Sequence, residues 1–249
     1  MKPRKRFGQH FLRDRKIIDE IILHIAPREG EEMLEIGPGD GALTAELLRA
    51  GAALTAVEID RDLAEKLRAR FGARLNLIVN DALREDLRGH LRGGMRAAGN
   101  LPYNISTPLL LRLAECGARE MWLMMQEEVA VRVCAPPGGA EYGRLTASVR
   151  LFYDAKRVLS APPQAFSPPP KVHSAMVKLV RRESPPQFAA HLPALLSAAF
   201  QSRRKMLGNA LAAFAVNWRA AEIDPARRAQ TLSPEEFARL SLHATPPRT

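Results

Sequence analysis

The chain has 249 residues, 46% of them hydrophobic and 6% aromatic, which excludes a disordered protein and allows one α/β core with a small second unit. It carries 37 Lys and Arg against 27 Asp and Glu, a net charge of +10. The charge is polarised, +6 in residues 1–16 and +7 in residues 171–228 with about −3 elsewhere, and this favours a polyanionic partner over general solubility.

Cys116 and Cys134 have no His or Cys at metal-ligand spacing, which predicts reduced, buried thiols in a cytoplasmic protein, with no disulfide and no metal. The basic N-terminal stretch is followed by no uninterrupted apolar run, so secretion and membrane insertion are disfavoured.

Residues 2–13 form a basic arm, and Phe7, Phe11 and Leu12 predict that its end packs down onto the domain. Asp14 to Ala26 follows as an amphipathic helix with Ile17, Ile18, Ile21, Ile22 and Ile25 on one stripe. Met33–Gly37 is a short apolar strand. It runs into Gly37-Pro-Gly-Asp-Gly41, where glycines permit a tight turn and close ligand approach beside the N-terminus of a helix over 42–49. The second strand, 53–60, carries Glu58, 17 residues past Gly41, about where a Rossmann-type unit places a carboxylate for ribose hydroxyls. The GxGxG spacing and the leading acid Glu35 favour the nucleoside of S-adenosylmethionine over NAD. A third strand, 75–79, ends in Asn80-Asp81-Ala82, an acid and a small residue suited to adenine, although Asp81 also suits a helix cap.

A fourth strand leads into Asn100-Leu101-Pro102-Tyr103. Pro102 stiffens this tetrapeptide at a strand's carboxyl end, where open α/β sheets hold their ligands. A neutral amide, a backbone carbonyl and an aromatic face together suit a planar base with an exocyclic amino group. Further strands are expected at 121–125, 149–153 and 172–180, the last of them antiparallel because no crossover helix precedes it. The loop 160–171 is stiffened by five prolines and brings Phe166 towards the pocket as the candidate opposite wall for the base. After Ser184-Pro-Pro186 the composition changes, and a helical pattern over 192–214 carries Arg203, Arg204 and Lys205. These features divide the chain into residues 1–183 and a small helical domain, 184–249.

The motifs Lys5–Leu12, Glu35–Gly39, Asn100–Ser106, Phe166–Val172 and Phe200–Leu207 span nearly the whole chain. In that order they resemble the ribosomal RNA adenine N6,N6-dimethyltransferases, specifically those of the small subunit whose loss gives kasugamycin resistance. The resemblance implies a Rossmann-like, seven-stranded class I S-adenosylmethionine-dependent methyltransferase with a C-terminal all-α domain. It implies cofactor contacts from His10, Leu12, Gly37, Glu58, Asp81 and Asn100, with Gly39, Ile59 and Ala82 beside them. Asn100, Leu101, Pro102, Tyr103 and Phe166 become the candidate catalytic group. Lys5, Arg6, Arg203, Arg204 and Lys205 are the candidate RNA contacts. His10 stands where the family more often has Asn, and Asn80 where it usually has Gly. The implied substrate is a pair of adjacent adenines in the 3'-terminal hairpin loop of 16S rRNA within the assembling 30S subunit, modified by a monomer. The erythromycin-resistance methyltransferases of large-subunit rRNA are the nearest alternative. A non-catalytic RNA-binding factor, a protein-amide methyltransferase and an NAD-dependent reductase are disfavoured.

Overall fold

The computed structural model describes residues 9–247. The chain opens with a two-residue strand β1 (Phe11–Leu12) and helix α1 (Arg15–Ile25). Asp14 caps α1 by accepting from Lys16 N at 2.9 Å and Ile17 N at 3.3 Å, and Ile18, Ile21 and Ile25 are buried beneath it. Then come β2 (Glu32–Ile36), α2 (Ala42–Arg49), β3 (Ala53–Glu58), α3 (Arg61–Phe71), β4 (Leu75–Val79), α4 (Leu87–His90), β5 (Arg96–Asn100), α5 (Ser106–Cys116), β6 (Glu120–Gln126) and α6 (Glu127–Cys134). Helix α7 (Arg144–Arg150) precedes β7 (Tyr153–Ala161), β8 (Phe166–Ser167) and β9 (Ser174–Arg181).

Seven strands form one sheet in the order β4-β3-β2-β5-β6-β9-β7. The first five are parallel, and β9 runs antiparallel to β6, with Glu120 opposite Val180 and Gln126 opposite Ser174. Strand order reverses direction between β2 and β5, so the carboxyl ends of β2, β3, β4 and β5 border one crevice. Close strand approach is built in at Gly99, where a Cβ would lie 2.4 Å from the Ile36 carbonyl oxygen. Met121–Met125 are all buried, as apolar core side chains.

Two compact units emerge, residues 9–130 with 155–181, and 131–154 with 182–247. This departs from a single boundary at 183. The stretch 131–154 carries Ala135, Tyr142, Ala147 and Leu151, which are buried in a cluster with Leu195, Leu196, Leu207 and Phe237. The second unit adds α8 (Leu192–Ala199), α9 (Leu207–Ala210), β10 (Ala215–Val216), α10 (Trp218–Ala221), α11 (Pro234–Leu242) and β11 (Ala244–Thr245). Helix α11 opens with a reciprocal cap in which Ser233 Oγ accepts from Glu236 N and Glu236 Oε2 accepts from Ser233 N.

Three expectations are corrected. The strand expected at 149–153 is the end of α7, its cap at Leu151 and only then the start of β7 at Tyr153, because Ala147 and Leu151, four residues apart, share one helix face in a buried cluster. The pattern over 192–214 is two helices, α8 and α9, parted by a turn that brings Met206 to bridge Arg228. Cys116 and Cys134 are not joined in a disulfide, and both are half-buried, not buried. Among the described residues no helix is long and apolar enough to cross a membrane.

Candidate active site

The crevice at the carboxyl ends of the parallel strands holds a cavity of about 290 Å³, close to the lower end of ordinary ligand sites. Its wall at β2 is the loop Gly37–Gly41. Gly37, Gly39 and Gly41 have φ of 66°, 60° and 84°, which a side chain rarely tolerates. At Gly39 a Cβ would also lie 3.1 Å from the Phe11 ring, so the strap of residues 9–13 that crosses the loop would have to shift to admit one.

Glu58, at the end of β3, is 4% exposed. Its Oε2 accepts from Gly39 N at 3.0 Å and its Oε1 from Asp60 N at 2.8 Å, so the carboxylate pins the glycine loop and keeps one lone pair on each oxygen. Burial holds its carboxyl above the usual carboxylate range, against the pull of those backbone N–H groups. Glu35, in β2, is also buried and accepts from Thr44 Oγ1 at 2.7 Å. Burial pushes its pKa up to about 7, Thr44 opposes that rise and the Glu58 charge adds to it.

At β4, Asp81 Oδ1 accepts from Leu83 N at 2.9 Å while Oδ2 lies 3.9 Å from Arg84 Nε, too far for a hydrogen bond. Asp81 thus caps the turn that follows and keeps one oxygen at the cavity wall. Asn80 is occupied locally: its Oδ1 accepts from Asp81 N and its Nδ2 donates to Glu85 Oε2 at 2.6 Å.

The floor at β5 is Asn100–Tyr103. Leu101 N donates to Met124 O at 2.9 Å, and Ile105 N to Pro102 O at 3.1 Å, which fixes the turn from both sides. Asn100 Nδ2 donates to the His10 carbonyl at 2.9 Å, and Asn100 Oδ1 is buried with no partner. The Tyr103 hydroxyl is bonded to Ser174 Oγ, and its ring stacks on His10 at 5.1 Å between centroids. Burial raises the phenol's pKa, with the Ser174 bond opposing.

All nine candidate cofactor residues (His10, Leu12, Gly37, Gly39, Glu58, Ile59, Asp81, Ala82 and Asn100) line this cavity, as do Leu101, Pro102 and Tyr103. Phe166 does not. It is paired with Leu12 in the β1–β8 ladder and only 3% exposed, packed into the core with Leu159 and Met176. The short ladder turns its ring inward, so the proline-rich loop supplies a buried anchor and not a wall. Two residues beyond the candidates hold the strap over the crevice. Gln9 Nε2 donates to Asp60 Oδ2 at 3.1 Å, and the Arg13 guanidinium pairs with Asp40. Their signal in the sequence is slight, since each partner lies far along the chain.

Arg203, Arg204 and Lys205 are exposed in the turn after α8, not on a helix. Lys5 and Arg6 lie outside the described residues. Among the described residues no three His, Cys, Asp or Glu side chains gather as a metal site would require.

The profile of the ribosomal RNA adenine dimethylases matches residues 1–245. The chain belongs to this family. It is 46% identical over 248 residues to the ribosomal RNA small subunit methyltransferase A of Bordetella petrii, covering 96% of this chain and 94% of that one. To the protein of the same name from Methylococcus capsulatus it is 44% identical, covering 98% of each. Among solved structures, a dimethyladenosine transferase from Plasmodium falciparum superposes with a TM-score of 0.78 at 26% identity, over 94% of this chain and 96% of that one. The 23S rRNA methyltransferase ErmE gives 0.69 at 25% identity, over 94% and 98%. This dimethylase therefore has the class I S-adenosylmethionine-dependent methyltransferase fold, with helices added at its C-terminus.

Proposed function

We propose that the protein transfers methyl groups from S-adenosylmethionine to N6 of two adjacent adenines in the 3'-terminal hairpin loop of 16S rRNA, twice on each. The reading places it in the cytoplasm, as a monomer acting on the assembling small subunit. The observation that carries it is Asn100 Oδ1, a buried acceptor without a donor, beside the ring of Tyr103 in the cavity. A buried polar atom left unpaired costs roughly 1–3 kcal/mol, and an amino group on a base entering here supplies the missing hydrogen.

The residues fit the donor. Glu58 keeps lone pairs for ribose hydroxyls, Asp81 and Ala82 leave an acceptor and space for adenine, and the Gly37–Gly39 backbone allows close approach. When bound, this group supplies a methyl carbon already activated by its sulfonium sulfur.

Adenine N6 is a weak nucleophile because its lone pair is delocalised into the ring. Asn100 Oδ1 and the Leu101 carbonyl accept its two hydrogens and draw the nitrogen towards a pyramidal shape, its lone pair aimed for in-line attack. Alignment of this kind accounts for as much as ~7–11 kcal/mol of a barrier. Tyr103 stacks on the flipped base, worth ~1–3 kcal/mol. After attack N6 is cationic and strongly acidic, so the proton leaves to solvent without a dedicated base. A neutral amide avoids burying an unpaired carboxylate. The basic turn Arg203–Lys205 and the arm residues Lys5 and Arg6 grip phosphates and orient the RNA.

Incubation with small ribosomal subunits lacking the modification, followed by mass spectrometry of the rRNA, tests the reading. Dimethyladenosine at two adjacent positions near the 3' end supports it. Product in large-subunit rRNA instead would assign the erythromycin-resistance type, and no product would leave an RNA-binding scaffold.

A further inference from the structure

Tyr103, the ring that the proposed function gives to the incoming base, already has a partner. His10 lies in the same cavity wall, its imidazole stacked on Tyr103 at 5.1 Å between centroids and 27° between planes. A base lying between two rings needs them about 7 Å apart, two van der Waals contacts, so nothing fits between these two as they stand. Asn100 points the same way independently. Its Oδ1 is out of reach of solvent as well as unpartnered, while its Nδ2 donates to the carbonyl of that same His10. One residue thus stacks on the ring that is to receive the base and holds the amide beside it.

We propose that His10 is a shutter: its ring occupies the base's stacking place on Tyr103 and swings aside when the adenine enters. The inference rests on the functional reading above for the identity of the base. The anchoring of the two rings fits the assignment. The Tyr103 hydroxyl is bonded to Ser174 in strand β9, which holds that ring in the sheet. The His10 ring is half-buried and tied through Nδ1–H to the Pro168 carbonyl at 2.8 Å, an acceptor in a loop. Because a proline carbonyl only accepts, Nδ1 carries the hydrogen. His10 is thus the ring able to yield. Only its side chain needs to move, since the backbone carbonyl must stay to orient Asn100. A closed form that must open before binding weakens the apparent affinity of every base by the same factor, the fraction of open protein. An aromatic pair of this kind is worth about a two- to tenfold population bias.

Michaelis constants for RNA are measured with the full chain on unmodified small subunits and on a short RNA hairpin with adenines in its loop. His10→Ala keeps the carbonyl and removes the ring, so KM falls about two- to tenfold, equally for both substrates. His10→Phe keeps a ring on Tyr103, and KM does not fall. Dissociation constants for the hairpin measured without cofactor carry the same expectation, so a variant impaired in cofactor binding still decides. A KM or dissociation constant that rises or stays level in His10→Ala would overturn the shutter; a rise would make His10 part of the base's own platform. Failure of the functional reading is distinct: the parent protein would then yield no dimethyladenosine, whatever the His10 variants do.

Discussion

Asn100 and His10 are 90 residues apart and joined by one hydrogen bond, from the Asn100 amide nitrogen to the His10 carbonyl at 2.9 Å. That bond decides which end of the amide is the acceptor. With Nδ2 committed, Oδ1 is the atom left for a substrate, and the strap that covers the cavity also sets the polarity of its floor.

Replacing Asn100 by Ala removes this acceptor and leaves Glu58, Asp81 and the glycine loop in place. Methyl transfer should fall by about 10²-fold or more, the scale seen when one preorganised polar group is removed, while cofactor affinity weakens only modestly. Tritium transfer to small subunits and calorimetry with the cofactor give the two numbers. Near-normal incorporation would remove Asn100 from the chemistry.

Tyr103→Ala should act mainly on base capture, raising KM for RNA by roughly 5- to 150-fold, the equivalent of ~1–3 kcal/mol of stacking. Tyr103→Phe keeps the ring and loses only the bond to Ser174, so most activity should remain. Steady-state kinetics of the two variants side by side separates the ring from its hydroxyl.

Phe166→Ala should show up in stability. The ring is fully enclosed with Leu12, Leu159 and Met176, so its removal should cost about 3–5 kcal/mol. Urea denaturation measures that loss. A selective rise in KM with unchanged stability would restore Phe166 to the base pocket.

Glu35 makes the fold sensitive to pH. Its pKa rises from 4.5 to about 7 on folding, because burial penalises the charged form. The unfolded chain therefore ionises first. The stability this carboxyl contributes is complete below about pH 4.5 and is lost as pH climbs through 7, a total of about 3 kcal/mol. Glu35→Gln cannot ionise, so its stability should match the parent near pH 4 and exceed it near pH 8. Denaturation midpoints across that range check the sign. A parent protein more stable at pH 8 than the Gln variant contradicts it.

Reversing the charge of Arg203, Arg204 and Lys205 should weaken RNA binding and flatten its dependence on salt, leaving cofactor affinity intact. Every RNA phosphate that these side chains no longer neutralise lowers the slope of log K against log salt by about 0.7–0.9. Binding titrations at several salt concentrations read this directly, and an unchanged slope would place the RNA grip elsewhere.

The sequence by itself determined the parts of this protein whose physics is local. The stripe of isoleucines under α1, the strand–glycine–helix step at Gly37–Gly41 and the proline-stiffened Asn100–Tyr103 each depend on neighbours a few residues away, so spacing and backbone preference suffice to read them. Only the tertiary structure decided the rest. Val149, Leu151 and Tyr153 alternate as a strand would, yet Val149 lies in α7 and Leu151 caps it, with Ala147 and Leu151 packed into the cluster around Phe237. Phe166 follows a loop aimed at the pocket, yet pairing with Leu12 turned its ring into the core. The orientation of Asn100 and the closure of His10 over Tyr103 depend on groups about ninety residues apart in the chain. No periodicity reports such pairings, because they exist only once the sheet has brought the two segments together.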